Sequence, residues 1–510
     1  MKDKILILDF GSQYTQLIAR RVRELGVFSE IQPFHFGLDK ILADPPGGII
    51  LSGGPASTTA PGAPRVDKKL FAAGIPILGV CYGMQLLTRM MGGRVERSAQ
   101  REYGKAQLDI KAATPLFENV QDHSTVWMSH GDSVAVPAPG YRIIARSADG
   151  AIAAIENRRL NIFAVQFHPE VMHSQEGKKI LANFLFSIAR ANRTWSMKNF
   201  IENEIGRLRE KCLGKRVVLG VSGGVDSTTL AVLAQRALGD GVTSVFVNNG
   251  LLRLNEEKEV LASLRQRLGL KVTYIDAGRR FLRNLKGVAA PERKRKIIGK
   301  TFIDVFFGAL RGFDFLIQGT LYPDVIESSP VQGPSQTIKT HHNRVREVQR
   351  LEKQGRIVEP LRFLFKDEVR EVARLLAVPA DILNRHPFPG PGLAVRILGA
   401  VTPAKLDVLK QADDIFIGEL KRSGWYDKVW QAFAVLLPVR SVGVMGDERA
   451  YGQVIALRAV TSTDGMTANW AALPPEVLDA AANRIVRQIR PVNRVVYDVT
   501  SKPPATIEWE

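Results

Sequence analysis

The chain has 510 residues and a formal net charge of +19, with 70 lysines and arginines against 51 acidic residues. At this length about three domains of ordinary size are expected, and the positive charge favours anionic ligands such as nucleotides and phosphates. Two cysteines, Cys81 and Cys212, exclude a disulfide framework and favour a reducing, cytoplasmic location, and no apolar run reaches the roughly 18 residues of a membrane-spanning helix.

Apolar segments of strand length alternate with amphipathic segments of helix length in the first part of the chain. The predicted strands are Ile5–Asp9, Gly48–Ser52, Ile75–Val80 and Asn161–Phe167, and the predicted helices are Tyr14–Leu25, Met84–Met91 and Lys178–Ala191. This alternation is typical of an α/β sheet domain. We place the domain at residues 1–192, followed by a polar linker around Ala191–Ser196.

The same alternation continues after the linker. The predicted strands are Val217–Val221, Ser244–Val247, Val272–Ile275 and Phe315–Gln318, and the predicted helices are Thr228–Leu238 and Glu256–Leu268. The pattern predicts a second doubly wound α/β domain, of the nucleotide-binding type, over residues 193–385. It ends at the proline-rich segment His386–Gly392, which cannot be helical. Residues 386–510 mix strands and helices and are predicted to form a smaller α+β domain.

Cys81 lies in the sequence GVCYG, between a predicted strand and a predicted helix. Gly79 and Gly83 permit the close backbone approach of a nucleophile elbow, and the helix N-terminus favours a thiolate. A buried structural cysteine is the ordinary alternative. His168 and Glu170 end another predicted strand in the sequence FHPE, and side chains two apart on an extended strand point to one side. We therefore predict that Cys81 is a nucleophile, with His168 as its base and Glu170 orienting the imidazole.

The segment Ser52–Pro55, SGGP, follows a further predicted strand. Its backbone N–H groups can form an oxyanion hole, although an ordinary Gly-Pro turn is the alternative. Together these segments resemble the class I (triad) glutamine amidotransferase family over about residues 4–190. The resemblance implies that Cys81, His168 and Glu170 hydrolyse the glutamine side-chain amide through a thioester and release ammonia. It also implies an oxyanion hole and glutamine-binding site formed by Gly53, Gly54, Tyr82, Gln85, Ser129, His130, Gly131 and Asp132.

A second string of small residues, Ser222–Ser227, leads from the predicted strand Val217–Val221 into a helix. Small residues let successive backbone N–H groups converge on an anion, and the helix dipole adds to them. A turn without a ligand is the alternative, and the lysine of a Walker P-loop is absent. The string resembles the PP-loop ATP pyrophosphatase family, which adenylates a carbonyl oxygen by cleaving ATP between its α and β phosphates. The ATP-binding residues that this resemblance implies are Ser222, Gly223, Gly224, Val225, Asp226, Ser227, Thr228 and Lys366.

The same resemblance implies that Asp226 helps to hold Mg²⁺, which enters with ATP as substrate. No permanently bound organic cofactor is expected.

Five further segments resemble the glutamine-hydrolysing GMP synthetase family, so the resemblance covers essentially the whole chain. They are Glu292–Gly299, Leu321–Ser328, Ile338–Asn343, Leu364–Arg370 and Tyr497–Glu510. The resemblance implies a ligase of purine biosynthesis that adenylates xanthosine 5′-monophosphate (XMP) with ATP and lets ammonia attack C2, giving GMP, AMP and pyrophosphate. The residues implied in XMP binding are Arg295, Asp447, Arg449, Lys502 and Glu508, and those implied in a lid are Lys339, His341 and His342. It also implies a homodimer formed through the C-terminal domain.

The chain departs from that family after Asn343. The usual Gly-Gly-Leu-Pro turn is replaced by the charged segment Arg344–Arg350, which can be helical, so we expect the lid to close differently but the reaction to be the same.

Two other functions are weighed against the synthetase. A tRNA-modifying enzyme would use the basic segment Arg279–Lys300, but aromatic residues are not interleaved there and a zinc-type cysteine cluster is absent. A nucleotide-sensing protein on an inactive scaffold would not need an intact Cys81 and Ser222–Ser227. We therefore expect the partners to be XMP, ATP and glutamine, with no membrane and no nucleic acid.

Overall fold

The computed structural model describes residues 4–310, 312–328, 346–445, 448–462, 465 and 467–510. The chain divides into two compact units. The first unit comprises Met1–Phe200 with Pro323–Lys339, and the second comprises Ile201–Tyr322 with Thr340–Glu510. Within the described ranges, no helix is both long and apolar enough to cross a membrane.

The described strands of the first unit form one nine-stranded mixed sheet. They are β1 (Lys4–Asp9), β2 (Phe28–Pro33), β3 (Gly48–Leu51), β4 (Ile77–Val80), β5 (Arg94–Ile110), β6 (Ser124–Val136), β7 (Arg142–Ser147), β8 (Ile152–Asn157) and β9 (Ile162–Val165). The order is β2-β1-β3-β4-β9-β8-β7-β5-β6, parallel from β2 to β9 and antiparallel beyond it. Strands β3, β4 and β9 are buried at every residue, as central parallel strands require, and this explains their unbroken apolar sequences.

Four short helices of the described residues accompany this sheet. They are α1 (Thr15–Glu24), between β1 and β2, α2 (Leu38–Ala43), between β2 and β3, α3 (Tyr82–Met90), between β4 and β5, and α4 (Gly177–Ala182), after β9. Helix α4 continues as a π-helical segment, Asn183–Ile188. The predicted linker residues Ala191–Ser196 are neither helix nor strand.

The second unit contains a parallel sheet whose five described strands run in the order β12-β11-β10-β13-β14. They are β10 (Val217–Gly220), β11 (Val242–Asn248), β12 (Val272–Asp276), β13 (Phe315–Ile317) and β14 (Ile357–Val358). The strand order reverses between β10 and β13. In open α/β sheets ligands bind at such a reversal, outside the carboxyl ends of the strands.

A long antiparallel hairpin of β15 (Gln431–Met445) and β16 (Glu448–Thr461) forms the centre of the C-terminal part, with β17 (Asn469–Trp470) and β18 (Val492–Tyr497) paired to β16. The remaining described helices are α5 (Met197–Cys212), α6 (Val225–Leu238), α7 (Glu256–Ala262), α8 (Gly278–Asn284), α9 (Pro291–Ala309), α10 (Tyr322–Ser328), α11 (Arg346–Lys353), α12 (Lys366–Leu375), α13 (Ala380–Leu383), α14 (Pro403–Arg422) and α15 (Pro475–Gln488). One apolar cluster extends from Val218 to Leu457 and Val492, so both parts of the second unit share a core. The boundary at residue 385 stays a prediction.

The predicted strands and helices are present, with ends that differ by a few residues, and the α/β fold class is confirmed. The helix predicted over Glu256–Leu268 is α7 followed by a π-helical segment, Ser263–Arg267. The charged insert contains α11, which begins at Arg346. The antiparallel strands β5–β8 were not predicted. In β5 and β6, polar residues interrupt the sequence at short intervals, so neither strand has a continuous apolar run.

Candidate active sites

Cys81 lies at a sharp turn between β4 and α3. Its backbone has φ +52° and ψ −104°, a conformation that a residue with a side chain rarely adopts. Its N–H donates a hydrogen bond to Val165 O at 2.8 Å, which ties the turn to β9. The flanking glycines are sterically required, because a Cβ at Gly79 would lie 2.7 Å from Leu87 and one at Gly83 would lie 2.4 Å from the oxygen of Leu51. The predicted nucleophile elbow is therefore present.

The structure brings His168 and Glu170 to this elbow. The His168 Nδ1 and Glu170 Oε1 atoms are 2.7 Å apart, and both residues are buried, with 3% and 0% of their surface exposed. Cys81 lies within hydrogen-bonding range of the His168 ring. The ring of Tyr14 packs edge-on against the imidazole, with ring centres 5.0 Å apart.

Electrostatics of this cluster favour an imidazolium. Burial alone lowers the pKa of His168, but the charge of Glu170 and the hydrogen bonds to Cys81 and Glu170 outweigh it and raise that pKa to about 10. A protonated His168 stabilises negative charge on the Cys81 sulfur and can later donate its proton to a leaving amine.

The Ser52–Pro55 turn borders the triad. A Cβ at Gly53 would lie 3.1 Å from Cε1 of His168, and one at Gly54 would lie 2.8 Å from the oxygen of Phe10, so neither position tolerates a side chain without a shift. The buried hydroxyl of Ser52 fixes the turn by accepting from Phe10 N–H at 3.0 Å and donating to Gly53 O at 2.8 Å. The backbone is thereby held close to the reacting groups, as an oxyanion hole requires.

Four of the predicted glutamine-binding residues lie on strand β6, next to the elbow: Ser129, His130, Gly131 and Asp132. Cys81 Sγ lies 3.7 Å from Ser129 O, and the Gln85 amide donates to Asp132 O at 2.7 Å. Burial, together with the charge of His168, lowers the pKa of His130 to about 4, so its ring is neutral at pH 7. Gly131 lies between these residues on the same strand.

Sequence reasoning missed Gln166, whose buried side-chain amide lies 3.8 Å from Cys81 Sγ. The register pairs Val80 with Val165, so the next residues of β4 and β9, Cys81 and Gln166, face one another. Its position two residues before His168 is the sequence feature that could have identified Gln166 as part of this site.

The second predicted site follows β10, at the strand reversal. Gly223 has φ +79°, and a Cβ there would lie 2.5 Å from the side chain of Val260, so glycine is required. The Ser227 hydroxyl accepts from Ser222 N–H at 3.1 Å and donates to Gly224 O at 3.2 Å, which closes the loop on the start of α6. Among the described residues the buried Thr228 Oγ1 has no hydrogen-bond partner.

Asp226 and Lys366 form an ion pair beside this loop. The Asp226 Oδ2 atom accepts from Lys366, whereas its buried Oδ1 has no hydrogen-bond partner in the described part of the chain. Buried polar atoms without partners are uncommon, and here two of them lie next to a loop shaped for an anion.

Three segments of the chain match models of known protein families, and two of these segments contain the two sites described above. Residues 6–188 match the class I glutamine amidotransferase family, residues 195–294 match the NAD synthase family, and residues 418–509 match the GMP synthase C-terminal domain. A glutamine-hydrolysing GMP synthase of Brachyspira hyodysenteriae is 53% identical over 513 aligned residues, covering 100% of this chain and 99% of the relative. Those of Fusobacterium nucleatum and Aquifex aeolicus are 54% and 53% identical, over 100% and 99% of their own lengths.

The chain belongs to the glutamine-hydrolysing GMP synthase family. It is therefore an enzyme of the ligase class that uses ATP and glutamine in GMP synthesis, as the sequence predicted. The family membership disfavours the RNA-modifying and sensor alternatives.

The C-terminal tail that carries two predicted XMP residues of this GMP synthase family member is ordered by buried cations. Arg396, fully buried, donates to both carboxylate oxygens of Glu508 at 2.8 and 3.1 Å, and Gln431 donates to the same carboxylate at 2.8 Å. The buried Arg458 donates to the carbonyls of Thr500, Thr506 and Ile507 at 2.7–3.0 Å. Sequence reasoning missed both arginines, because an isolated arginine within an apolar segment, such as Arg396 in a short helical turn or Arg458 in β16, carries no recognisable signal.

Lys502, the second predicted XMP residue of the tail, and the predicted residues Arg295 and Arg449 have separate contacts. Lys502 donates from Nζ to Gly465 O at 2.8 Å, and Arg295 donates to the main-chain oxygen of Glu510. Arg449 pairs in register with Val444 near the tip of the β15–β16 hairpin, whereas Gln431, the partner of Glu508, pairs with Val460 at its base. At a strand rise of about 3.3 Å per residue, Arg449 and Val460 lie roughly 36 Å apart along β16. Arg449 therefore does not join Glu508 within one chain.

Four predicted site residues lie outside the described residues: Lys339, His341, His342 and Asp447.

Proposed function

We propose that this chain hydrolyses glutamine at the Cys81–His168–Glu170 triad and uses the ammonia to aminate an adenylated XMP at the Ser222–Thr228 loop. The observation that carries the proposal is the coexistence of a buried triad with a separate anion-shaped loop in a member of the GMP synthase family. The domain ranges 1–192, 193–385 and 386–510 belong to this proposal.

In the glutaminase half-reaction, Cys81 Sγ attacks the side-chain amide carbon of glutamine. Backbone N–H groups of Gly53, Gly54 or Tyr82 stabilise the oxyanion, and His168 transfers its proton to the leaving ammonia. Water, deprotonated by His168, then cleaves the thioester and releases glutamate. Gln85 and the Ser129–Asp132 segment hold the substrate.

In the synthetase half-reaction, the C2 oxygen of XMP attacks the α-phosphorus of ATP and pyrophosphate leaves. Ammonia then attacks C2, loses a proton, and AMP departs with the former C2 oxygen, giving GMP. The loop N–H groups, the Thr228 hydroxyl and Lys366 bind the phosphates.

Mg²⁺ fits the residues beside this loop. The Asp226 carboxylate has one buried oxygen without a partner among the described residues, and hard oxygen ligands suit Mg²⁺. No cluster of three or more His, Cys, Asp or Glu side chains is found in the described ranges, so phosphate oxygens and water would complete the coordination. Bound there, the ion would neutralise charge on the departing pyrophosphate.

XMP recognition is assigned to Arg295, Lys502 and Glu508 as part of the same proposal. A nucleotide monophosphate needs cationic contacts for its phosphate, and Glu508 can accept from sugar or base donors. The bidentate bond from Arg396 fixes the Glu508 carboxylate in one orientation.

A homodimer through the C-terminal part is also proposed. The hairpin exposes large apolar side chains near its tip, including Val444 at 73% and Tyr451 at 64% exposure, and such side chains in one area favour a protein interface. A second chain could then supply Arg449 to the site. The cytoplasmic location rests on cysteine content and stays a prediction.

The test measures GMP formation by two variants with two nitrogen sources. Cys81→Ala is expected to abolish GMP formation with glutamine and to spare it with ammonium salt, because free ammonia bypasses the triad. Asp226→Asn is expected to block GMP formation with both sources. Equal loss of both activities in Cys81→Ala, or unchanged XMP-dependent pyrophosphate release in Asp226→Asn, would refute the two-site proposal.

A further inference from the structure

Lys294 is a fully buried lysine on α9, with 0% of its surface exposed. Its ammonium group donates to Ala394 O at 3.0 Å and to Ile397 O at 2.7 Å, and it pairs with the side-chain carboxylate of Glu510. Lysine is almost never fully buried unless it is paired, since an unpaired ammonium would have to lose its hydration or its charge. The Glu510 carboxylate is therefore the group that makes this position tolerable for a lysine.

Glu510 is held from several sides at once. Its Oε1 accepts from Gly399 N–H at 3.3 Å, its side chain binds Lys294, and its main-chain oxygen accepts from the guanidinium of Arg295. One residue of the tail thus contacts two consecutive cations of α9. One of these, Lys294, is buried, while the other, Arg295, is partly exposed and is assigned to XMP.

The same tail is fixed two residues earlier. Arg396 holds Glu508 through two hydrogen bonds, so the chain is fixed on both sides of Trp509. A guanidinium has five N–H donors in a rigid fork. Arg295 can therefore keep its bond to Glu510 and still present other donors to a phosphate.

We propose that Glu510 is a positioning residue for XMP binding: anchored by the buried Lys294, it orients the Arg295 guanidinium and holds the tail bearing Lys502 and Glu508 against α9. The inference rests on the proposed assignment of Arg295 to XMP. Glu510 does not contact the reacting atoms in this account. It acts through Arg295 and the tail.

The experiment follows GMP synthesis with ammonium salt as the nitrogen source, which separates it from the triad. Glu510→Gln and Lys294→Met are compared with Lys296→Met, a matched control that removes an exposed lysine from the same helix. A charge-assisted hydrogen bond is worth about ten- to a hundredfold in affinity, so we expect KM for XMP to rise about tenfold in the first two variants. The control should keep a normal KM.

A positioning role predicts a specific kinetic pattern. The kcat at saturating XMP, the KM for ATP and the rate of Cys81 alkylation should change by less than about twofold. The double variant Lys294→Met/Glu510→Gln should be no worse than the more impaired single variant, because the two residues act through each other. Glu510→Asp, which keeps the charge, should recover part of the XMP affinity.

Two results would overturn the inference. One is a normal KM for XMP in Glu510→Gln. The other is a joint change in kcat, KM for ATP and melting temperature, which would mean that the contact only stabilises the fold. The variant Arg295→Ala distinguishes an error in the positioning role of Glu510 from an error in the assignment of Arg295 to XMP. If it raises KM for XMP and Glu510→Gln does not, the positioning role alone is wrong. If Arg295→Ala also binds XMP normally, the assignment of Arg295 is wrong as well.

Discussion

The triad of the first unit and the phosphate loop of the second unit differ in how completely they are formed in the isolated chain. Cys81, His168 and Glu170 are buried and already in contact. At the loop, the Asp226 and Lys366 side chains are 32% and 45% exposed, and they pair with each other. A small amide substrate needs a preorganised nucleophile, whereas a polyanion needs charged groups that can exchange partners when it binds. We infer that substrate binding reorganises the loop more than it does the triad.

The largest predicted effect tests how far the triad is preorganised. Glu170→Gln keeps the shape of the side chain but removes the charge that raises the pKa of His168. Removing an equivalent carboxylate charge costs about 10⁴-fold in the serine protease triad, so we expect at least about a hundredfold loss of glutamine-dependent kcat. The ammonium-dependent rate is the control and should be unchanged. A normal glutaminase rate would mean that Glu170 does not orient His168.

The second prediction concerns the tail of the second unit. Lys502→Ala should raise KM for XMP by about ten- to a hundredfold, the value of a charge-assisted contact. The measurement is XMP saturation with ammonium as nitrogen source, and KM for glutamine in the hydrolysis assay is the control. If KM for XMP is unaltered, Lys502 serves only its bond to Gly465.

The third prediction compares two adjacent glycines of the loop. Gly223→Ala places a methyl group 2.5 Å from Val260 at φ +79°, whereas Gly224 has φ −76° and its nearest neighbour would be 3.5 Å away. A left-handed alanine costs about 1–2 kcal/mol, so KM for ATP should rise about tenfold in Gly223→Ala. Gly224→Ala should change it little. Equal effects would show that the backbone shape of the loop does not govern ATP binding.

The smallest predicted effect is the pH dependence of stability. Burial lowers the pKa of His386 to about 4, and this neutral ring accepts from Ala432 N–H at 3.2 Å and bonds Tyr426 O at 2.9 Å. The pKa of His386 in the folded chain lies below the unfolded value of about 6.5. Its contribution to the free energy of unfolding is therefore complete above pH 6.5 and is lost as the pH falls towards 4. For His168 the folded pKa is raised, so its contribution is complete below pH 6.5 and is lost as pH rises towards 10.

Thermal unfolding of His386→Gln and His168→Gln checks these two directions. For each variant we compare its melting temperature with that of the unsubstituted chain. This difference should shrink by about 2–4 °C as the pH falls below 6.5 for His386→Gln, and by a similar amount as the pH rises above 6.5 for His168→Gln. If both differences shrink on the same side, the assigned charge states are wrong.

The triad could be predicted from the sequence because each of its segments follows a strand. Ser52 and Cys81 come directly after β3 and β4, and His168 and Glu170 lie in the segment that follows β9. These three strands are neighbours in parallel register, so the fold places the segments together. The loop after β10 was predictable for the same reason, since parallel strands end at one edge of a sheet.

The buried cations of the second unit could not be predicted in this way. Lys294, Arg396 and Arg458 are fully buried, whereas composition alone assigns lysine and arginine to the surface. Their partners are up to 216 residues distant in sequence. The distance between Arg449 and Glu508 likewise depends on the register of the β15–β16 hairpin, which periodicity does not determine.

The central claim is that one chain makes ammonia at Cys81 and uses it on adenylated XMP. The most direct measurement supplies XMP, MgATP and glutamine labelled with ¹⁵N at its side-chain amide, and quantifies GMP, pyrophosphate and glutamate in the same reaction. The account predicts equal amounts of GMP and pyrophosphate, the label in the 2-amino group of GMP, and neither product without XMP. Pyrophosphate release that does not require XMP, or GMP without the label when glutamine is the only nitrogen source, would contradict it.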